Sequence, residues 1–367
     1  MLFSEAQINQ INTLSSQTPR APDVTYAYGT AGFRCKASDL ESVCLRMGML
    51  AGVRSRCFPN PLLSQDCHAV GSMLTASHNK EVDNGLKLVD PSGSMLDQSW
   101  EALAAQLANA EENHVGKLLN QIAQEMKIDI TRQPYVIVGR DTRASSPALC
   151  NLFIAGAKVV GASVLDIGIV TTPQLHYVVR ATWQGIPASA SVEGYYTDIC
   201  TAFCTLMGDR KAAPVLVDCA NGVGRVSAEA LSVRLANVLP ISTLNTGSEN
   251  LNNQCGAEYV QSQKKVPLSF DIEQHSGVKC ASVDGDADRL VYYYFASDSG
   301  FHLLDGDKLI ALYTGFLKDL IATSELSLSL GIVQVLKMSL FIPLFHSSCH
   351  MSGSCFEFLD FVLFQLQ

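Results

Sequence analysis

Strand-like and helix-like periods alternate through most of this sequence, and that alternation restricts the chain to layered α/β architecture, with helices packed on sheets. Residues 134–139 (PYVIVG) have the length and apolar content of a short buried strand, and they run into the polar turn Arg140-Asp141-Thr142-Arg143. Leu149, Leu152, Phe153, Gly156, Val159 and Val160 then recur at helical spacing. A second strand is predicted over Ser163–Ile167, and Thr171-Thr172-Pro173 leads into another helix.

A second unit starts near residue 187. It holds a predicted helix around 194–207, a strand over Pro214–Asp218, the turn Asn221-Gly222-Val223-Gly224 and a helix from about 225 to 236. Ser227 stands where a dinucleotide fingerprint needs its third glycine, so that turn reads as a plain strand-to-helix connection. The unit closes with a strand–loop–strand, Val278–Val283 and Leu290–Phe295 around an acidic loop. A third unit begins near 298, where a helix starting at Asp305-Gly306-Asp307 carries Leu309, Leu312, Tyr313, Phe316 and Leu320 on one face. The expected division is 1–185, 186–297, 298–334 and an apolar tail, 335–367. That tail has three acidic or basic residues, Lys337, Glu357 and Asp360, against six of the chain's fifteen phenylalanines. Its apolar stretch near 338–345 is broken by Pro343 and falls short of the ~20 residues that span a bilayer, so no membrane partner is expected.

Two segments carry chemistry. Thr75-Ala76-Ser77-His78-Asn79, followed by Asp83-Asn84-Gly85-Leu86-Lys87, places a serine among small and polar residues after the strand-like Val70–Leu74. On its own this reads as a tight exposed turn with a capping serine. Asp284-Gly285-Asp286-Ala287-Asp288-Arg289 sets three carboxylates at alternate positions between apolar strands. They repel one another unless a hard cation takes their oxygens. A calcium EF-hand loop would need glycine at its sixth position and glutamate at its twelfth, where Arg289 and Phe295 stand, so magnesium is the expected ion. The two segments make physical sense together: a metal held by three aspartates can draw charge from a phosphoryl group on Ser77 and ease in-line transfer. Arg34, Lys87 and Arg289 are candidate cations for the phosphoryl oxygens, and one of them or His78 is the candidate for the hydroxyl proton.

Charge balance narrows the partners. With 26 basic and 35 acidic residues the net charge is −9, which argues against a nucleic-acid surface and is compatible with small anionic substrates held in a local positive pocket. Twelve cysteines are spread from Cys35 to Cys355 without paired motifs, and Cys200 and Cys204 have a spacing that zinc sites rarely use alone. Reduced thiols are expected. Residues 1–10 lack a basic patch followed by an apolar run, so no signal peptide is expected and the chain reads as cytoplasmic. The oligomeric state is open.

Three ordered motifs, Gly29-Thr30-Ala31-Gly32-Phe33-Arg34, the Ser77 loop and the 284–289 loop, resemble the α-D-phosphohexomutase superfamily. Softer matches resemble its acetylglucosamine branch: Asp90-Pro91-Ser92-Gly93-Ser94-Met95-Leu96, Gly139-Arg140-Asp141-Thr142-Arg143, Thr172-Pro173-Gln174-Leu175-His176-Tyr177, Glu193-Gly194-Tyr195-Tyr196, Val217-Asp218-Cys219-Ala220-Asn221-Gly222 and Leu303-Leu304-Asp305-Gly306-Asp307-Lys308. The resemblance implies consecutive mixed-sheet α/β domains and reversible conversion of N-acetylglucosamine 6-phosphate to the 1-phosphate, on the route to UDP-N-acetylglucosamine. By that resemblance Ser77 is the phosphorylated nucleophile, and Asp284, Asp286 and Asp288 hold one magnesium with the Ser77 phosphate. Arg34 braces the serine loop, Lys87 is a candidate acid/base or phosphate contact, and Arg289 supports the site. A hexose 1,6-bisphosphate is the implied intermediate and activator.

The sequence departs from the family pattern at Lys80, where many relatives have proline, and over 57–70, which lacks a clean strand pattern. It departs most after Gln334. The family's sugar-contacting loop and its Arg-x-Ser-Gly-Thr phosphate loop do not occur in the sequence. The expectation is a third domain left incomplete and a fourth absent, as in a truncated or alternatively spliced product. Alternatives of function are a phosphoglucomutase or phosphomannomutase, and a non-catalytic product that binds magnesium or a partner.

Overall fold

The computed structural model describes residues 2–29, 32–60, 66–247, 250–324, 328 and 331. Thr30 and Ala31 of the early glycine motif, residues 61–65 of the irregular segment, Gln334 and the tail 335–367 lie outside the described residues.

The first sheet uses Phe33–Lys36 (β1), Ala69–Leu74 (β2), Asp83–Val89 (β3), Tyr135–Arg140 (β4) and Ser163–Ile169 (β5), in the order β1-β3-β2-β4-β5. Strands β2, β4 and β5 are parallel, while β3 runs antiparallel to both β2 and β1. Both faces of the central strands β2 and β4 are covered, which is why these two read as apolar runs. Val70, Leu74, Val136 and Val138 point into the larger core, and their alternates Ala69, Met73 and Ile137 point into a second one.

Helices Glu5–Gln17 (α1), Glu41–Ser55 (α2), Gln98–Ala108 (α3), Val115–Glu125 (α4) and Ser146–Val159 (α5) build the larger core, and Thr172–Trp183 (α6) covers the opposite face. Helix α2 is buried from Ser42 to Ser55, so it carries no amphipathic stripe. It meets α5 at Gly48 and Gly156, where the backbones approach so closely that a Cβ on Gly156 would lie 1.8 Å from the Leu45 carbonyl oxygen.

Helix Val192–Met207 (α7) leads to the second sheet. Val215–Asp218 (β6), Ile241–Leu244 (β7), Lys279–Val283 (β8), Leu290–Ala296 (β9) and Gly300–Leu304 (β10) are ordered β10-β9-β8-β6-β7, with Gly224–Arg234 (α8), Gly256–Gln263 (α9) and Ile272–His275 (α10) in the connections. Strands β6, β7 and β8 are parallel, and β9 and β10 extend the sheet as an antiparallel hairpin. That hairpin crosses the boundary expected at 297/298: β10 belongs by hydrogen bonding to the second sheet. Helix Gly306–Thr323 (α11) follows, and Leu312, Tyr313, Phe316 and Leu320 of its expected apolar face are exposed among the described residues. No described helix is long and apolar enough to cross a membrane.

Candidate phosphoserine and metal site

The site lies where the carboxyl ends of the two sheets meet. Strand β2 ends at Leu74 and delivers Ser77; strand β8 ends at Val283 and delivers the three aspartates. Ser77 adopts a left-handed backbone, φ +51°, and its N–H donates to Thr75 Oγ1 at 2.9 Å. The expectation of an exposed turn is corrected here: Ser77 is fully buried, because the acidic loop of the second unit closes over it. A Cβ on Gly285 would stand 2.6 Å from the Ser77 carbonyl oxygen, so only glycine lets the loops meet this closely. Gly222 in turn packs against Gly285, where a Cβ would lie 2.6 Å from its carbonyl oxygen.

Ser77 Oγ donates to Asp284 Oδ2 at 2.5 Å. Lys87, buried on β3, reaches Asp286 Oδ2 at 3.3 Å and Asp288 Oδ2 at 3.0 Å. Arg289 Nε stands 3.9 Å from Asp284 Oδ2, while its Nη1 binds Glu258 at 3.2 Å. Ligand oxygens of Asp284, Asp286 and Asp288 fall within 4.8 Å of one another. Asp286 Oδ1 and Asp288 Oδ1 are buried without a partner. Such oxygens are costly unless something takes them, and three carboxylates fit a hard divalent cation.

The electrostatics follow from the crowding. Burial, with the neighbouring Asp286 and Asp288 carboxylates, pushes Asp284 well above the ordinary carboxylate range. Burial would also raise Asp288, but the Lys87 ammonium and the two arginines outweigh it and hold it below its usual value. Burial would lower Lys87, and the Asp288 and Asp286 carboxylates override it, so the ammonium is held protonated. Burial lowers His78 and Arg34; the charge of Arg289 adds to this at both, and that of Arg34 adds to it at His78. His78 Nδ1 and Arg34 Nε are buried without a partner. All eight residues singled out from the sequence thus gather at one point.

Four residues without an assigned part in the sequence reading also shape the site. Arg143 donates to the carbonyls of Ser77, Asn79, Lys80 and Asp83. Asn252 Nδ2 donates to the carbonyls of Ser77 and Asn79 at 2.9 and 3.1 Å. Thr172 binds Asp286 twice, through Oγ1 at 2.7 Å and through its backbone N–H. Asp218, at the end of β6, accepts from Ala220, Asn245, Gly256 and Ser282 and pins the turn beneath Gly285. Three of them lie in strings that carry the family resemblance; Asn252 sits in an irregular polar loop with no such signal.

Residues 104–194 match the family described as phosphoglucomutase/phosphomannomutase, α/β/α domain I. The fold is similar to the apo-form of N-acetylglucosamine-phosphate mutase, a member of the α-D-phosphohexomutase superfamily. That similarity has a TM-score of 0.81 and 37% identity, over 89% of this chain and 71% of the other. The chain belongs to the α-D-phosphohexomutase superfamily. Within it, the chain is 43% identical over 315 residues to the phosphoacetylglucosamine mutase of Homo sapiens, covering 84% of this chain and 56% of that relative. A structure of Aspergillus fumigatus N-acetylphosphoglucosamine mutase in complex with GlcNAc-6P and magnesium gives a TM-score of 0.81 at 36% identity, over 90% of this chain and 62% of that one. The chain thus spans little more than half the length of the human relative.

Proposed function

We propose that this chain carries the phosphoserine and metal portion of a phosphoacetylglucosamine mutase, which moves a phosphoryl group between O6 and O1 of N-acetylglucosamine. The observation that carries the proposal is the 2.5 Å contact from Ser77 Oγ to Asp284 across 207 residues of sequence, beside two carboxylate oxygens with no partner of their own. Asp284, Asp286 and Asp288 would hold one magnesium ion. Bound there, it would offset two of the three carboxylate charges, beside the Lys87 ammonium, and draw charge from the phosphorus.

The residues of the chain do the rest. Ser77 Oγ attacks a phosphorus of a hexose 1,6-bisphosphate; the Oγ–P bond forms and the sugar O–P bond breaks. The Ser77 proton leaves Oγ, and the departing sugar oxygen takes up a proton in its place. Asp284 Oδ2 takes the Ser77 hydrogen bond in the cation-free chain. His78, whose pKa burial and the nearby guanidinium groups depress, is the candidate to accept the Ser77 proton once the ion occupies that carboxylate. Arg34 and Arg289, whose charges act on the triad and on His78, would counter the phosphoryl charge. Lys87, held as an ammonium, supports Asp286 and Asp288 better than it would serve as a base. The half-reaction run backward returns the phosphoryl group to a monophosphate. All ten described cysteines are free thiols, which fits a reducing cytoplasm.

The test is intact mass after incubation with glucose 1,6-bisphosphate and Mg2+. One phosphate is expected on the wild-type chain and none on Ser77→Ala; an unmodified wild-type chain refutes the assignment. The phosphorylated chain is then offered GlcNAc 1-phosphate and glucose 1-phosphate. Equal rates of phosphate loss to the two would favour the phosphoglucomutase reading, since the narrower name requires a preference for the acetylated sugar.

A further inference from the structure

Thr172 has no part in the chemistry just described, yet it is the one group of the first unit, besides Ser77 and Lys87, that bonds to a member of the acidic triad among the described residues. We propose that Thr172 is a positioning residue that turns Asp286 toward the ion; this rests on the magnesium reading above.

A threonine just before a helix commonly serves as its N-cap. Here Thr171 takes that duty: its side chain accepts from Gln174 N, and Gln174 answers in a full capping box. The Thr172 hydroxyl is therefore released from the helix. It donates instead to Asp286 Oδ2 at 2.7 Å, and the Thr172 N–H donates to the Asp286 carbonyl at 3.0 Å. The same Oδ2 also receives Lys87 Nζ at 3.3 Å. Two donors on one oxygen leave the other, Oδ1, without a partner, buried beside the free Oδ1 of Asp288. The carboxylate is fixed with one oxygen spent on the protein and one kept for the ion. Without the hydroxyl, Lys87 alone holds Oδ2, and the carboxylate is free to turn its other oxygen to the ammonium. Partners of this kind typically change metal affinity by about 10- to 100-fold.

Valine matches threonine in shape and keeps the backbone N–H, so Thr172→Val removes only the hydroxyl. Mn2+ binding, followed by the loss of the free-ion paramagnetic resonance signal, is the direct readout, with the thermal midpoint of the metal-free chain measured beside it. Thr172→Val is expected to weaken Mn2+ binding about tenfold or more, to lower the metal-free midpoint only as far as the loss of one buried hydrogen bond does, and to need correspondingly more Mg2+ for phosphate uptake on Ser77. Thr172→Ser, which restores the hydroxyl, is expected within about threefold of wild type. Wild-type affinity in Thr172→Val overturns the proposal, as does equal weakening in Thr172→Ser. A wild-type chain that binds no Mn2+ overturns the metal reading and this inference with it; binding abolished by Asp286→Asn but untouched by Thr172→Val overturns this inference alone.

Discussion

Arg143 spends all five of its N–H bonds inside the protein. Nε goes to Asp141, and the two terminal nitrogens go to the carbonyls of Lys80, Asp83, Ser77 and Asn79. The left-handed backbone of Ser77 is held from one side by this guanidinium and from the other by Asn252, which reaches the same Ser77 and Asn79 carbonyls from the second unit. The two grips differ in cost. Arg143→Met would leave the buried Asp141 carboxylate without its cation and take one donor from each of four carbonyls, of which Ser77 and Asn79 keep Asn252. Removing one partner of a buried ion pair costs about 3–5 kcal/mol. Asn252→Ala leaves the Arg143 bonds in place and is expected to cost about 1–2 kcal/mol. Its larger effect should fall on the rate of phosphate uptake, because the serine is presented less firmly. Urea unfolding midpoints for both variants, with the uptake rate of Asn252→Ala at full occupancy of the fold, check this. Equal destabilisation by the two would remove Arg143 as the main grip.

At the scale of elements, the crossing of α2 and α5 depends on two small residues. A Cβ on Gly156 would lie 1.8 Å from the Leu45 carbonyl oxygen, and one on Gly48 would lie 2.0 Å from that of Phe153. Alanine is the better helix former by about 1 kcal/mol, so helix propensity alone predicts that Gly156→Ala stabilises. Close packing predicts the reverse, by roughly 1–3 kcal/mol or more once the helices are forced apart. The guanidinium chloride midpoint of Gly156→Ala decides between them, and a midpoint at or above wild type would sink the packing argument. The same helices mark what is legible in the sequence. The 134–139 run and the 225–236 helix are found at Tyr135–Arg140 and Gly224–Arg234, because each has a local period. Helix α2 is hidden, since a helix buried on every side has no stripe to display. Strand β10 and the burial of Ser77 are hidden for another reason: both are set by partners elsewhere in the fold, and no local pattern records them.

At the scale of the molecule, the site is a joint between the two units, beside the packing of α6 on α7, where Tyr177 bonds to Asp198 and meets the ring of Tyr195. Ser77, Lys87 and Thr172 of the first unit bond to the acidic loop of the second, Asn252 bonds back to the serine loop, and Gln174 meets Ser227 at 3.1 Å. Whatever stabilises the acidic loop therefore stabilises the joint. Without a cation, burial and its two neighbours raise the pKa of Asp284 in the folded chain above its unfolded value. The sign follows by linkage: this group favours folding below the ordinary carboxylate range, and the benefit is lost as pH rises through the raised folded pKa. A bound cation competes with that proton, so Mg2+ should stabilise the chain more at neutral pH than in mild acid. At a concentration of about 100 times its dissociation constant the gain is about 2.7 kcal/mol. Thermal midpoints with and without Mg2+ across that pH range measure it, and Asp284→Asn, which removes both ligand and proton site, should flatten the dependence. A magnesium effect of the same size at every pH, unchanged by that substitution, would show that the ion binds elsewhere and that the joint between the units does not run through the triad.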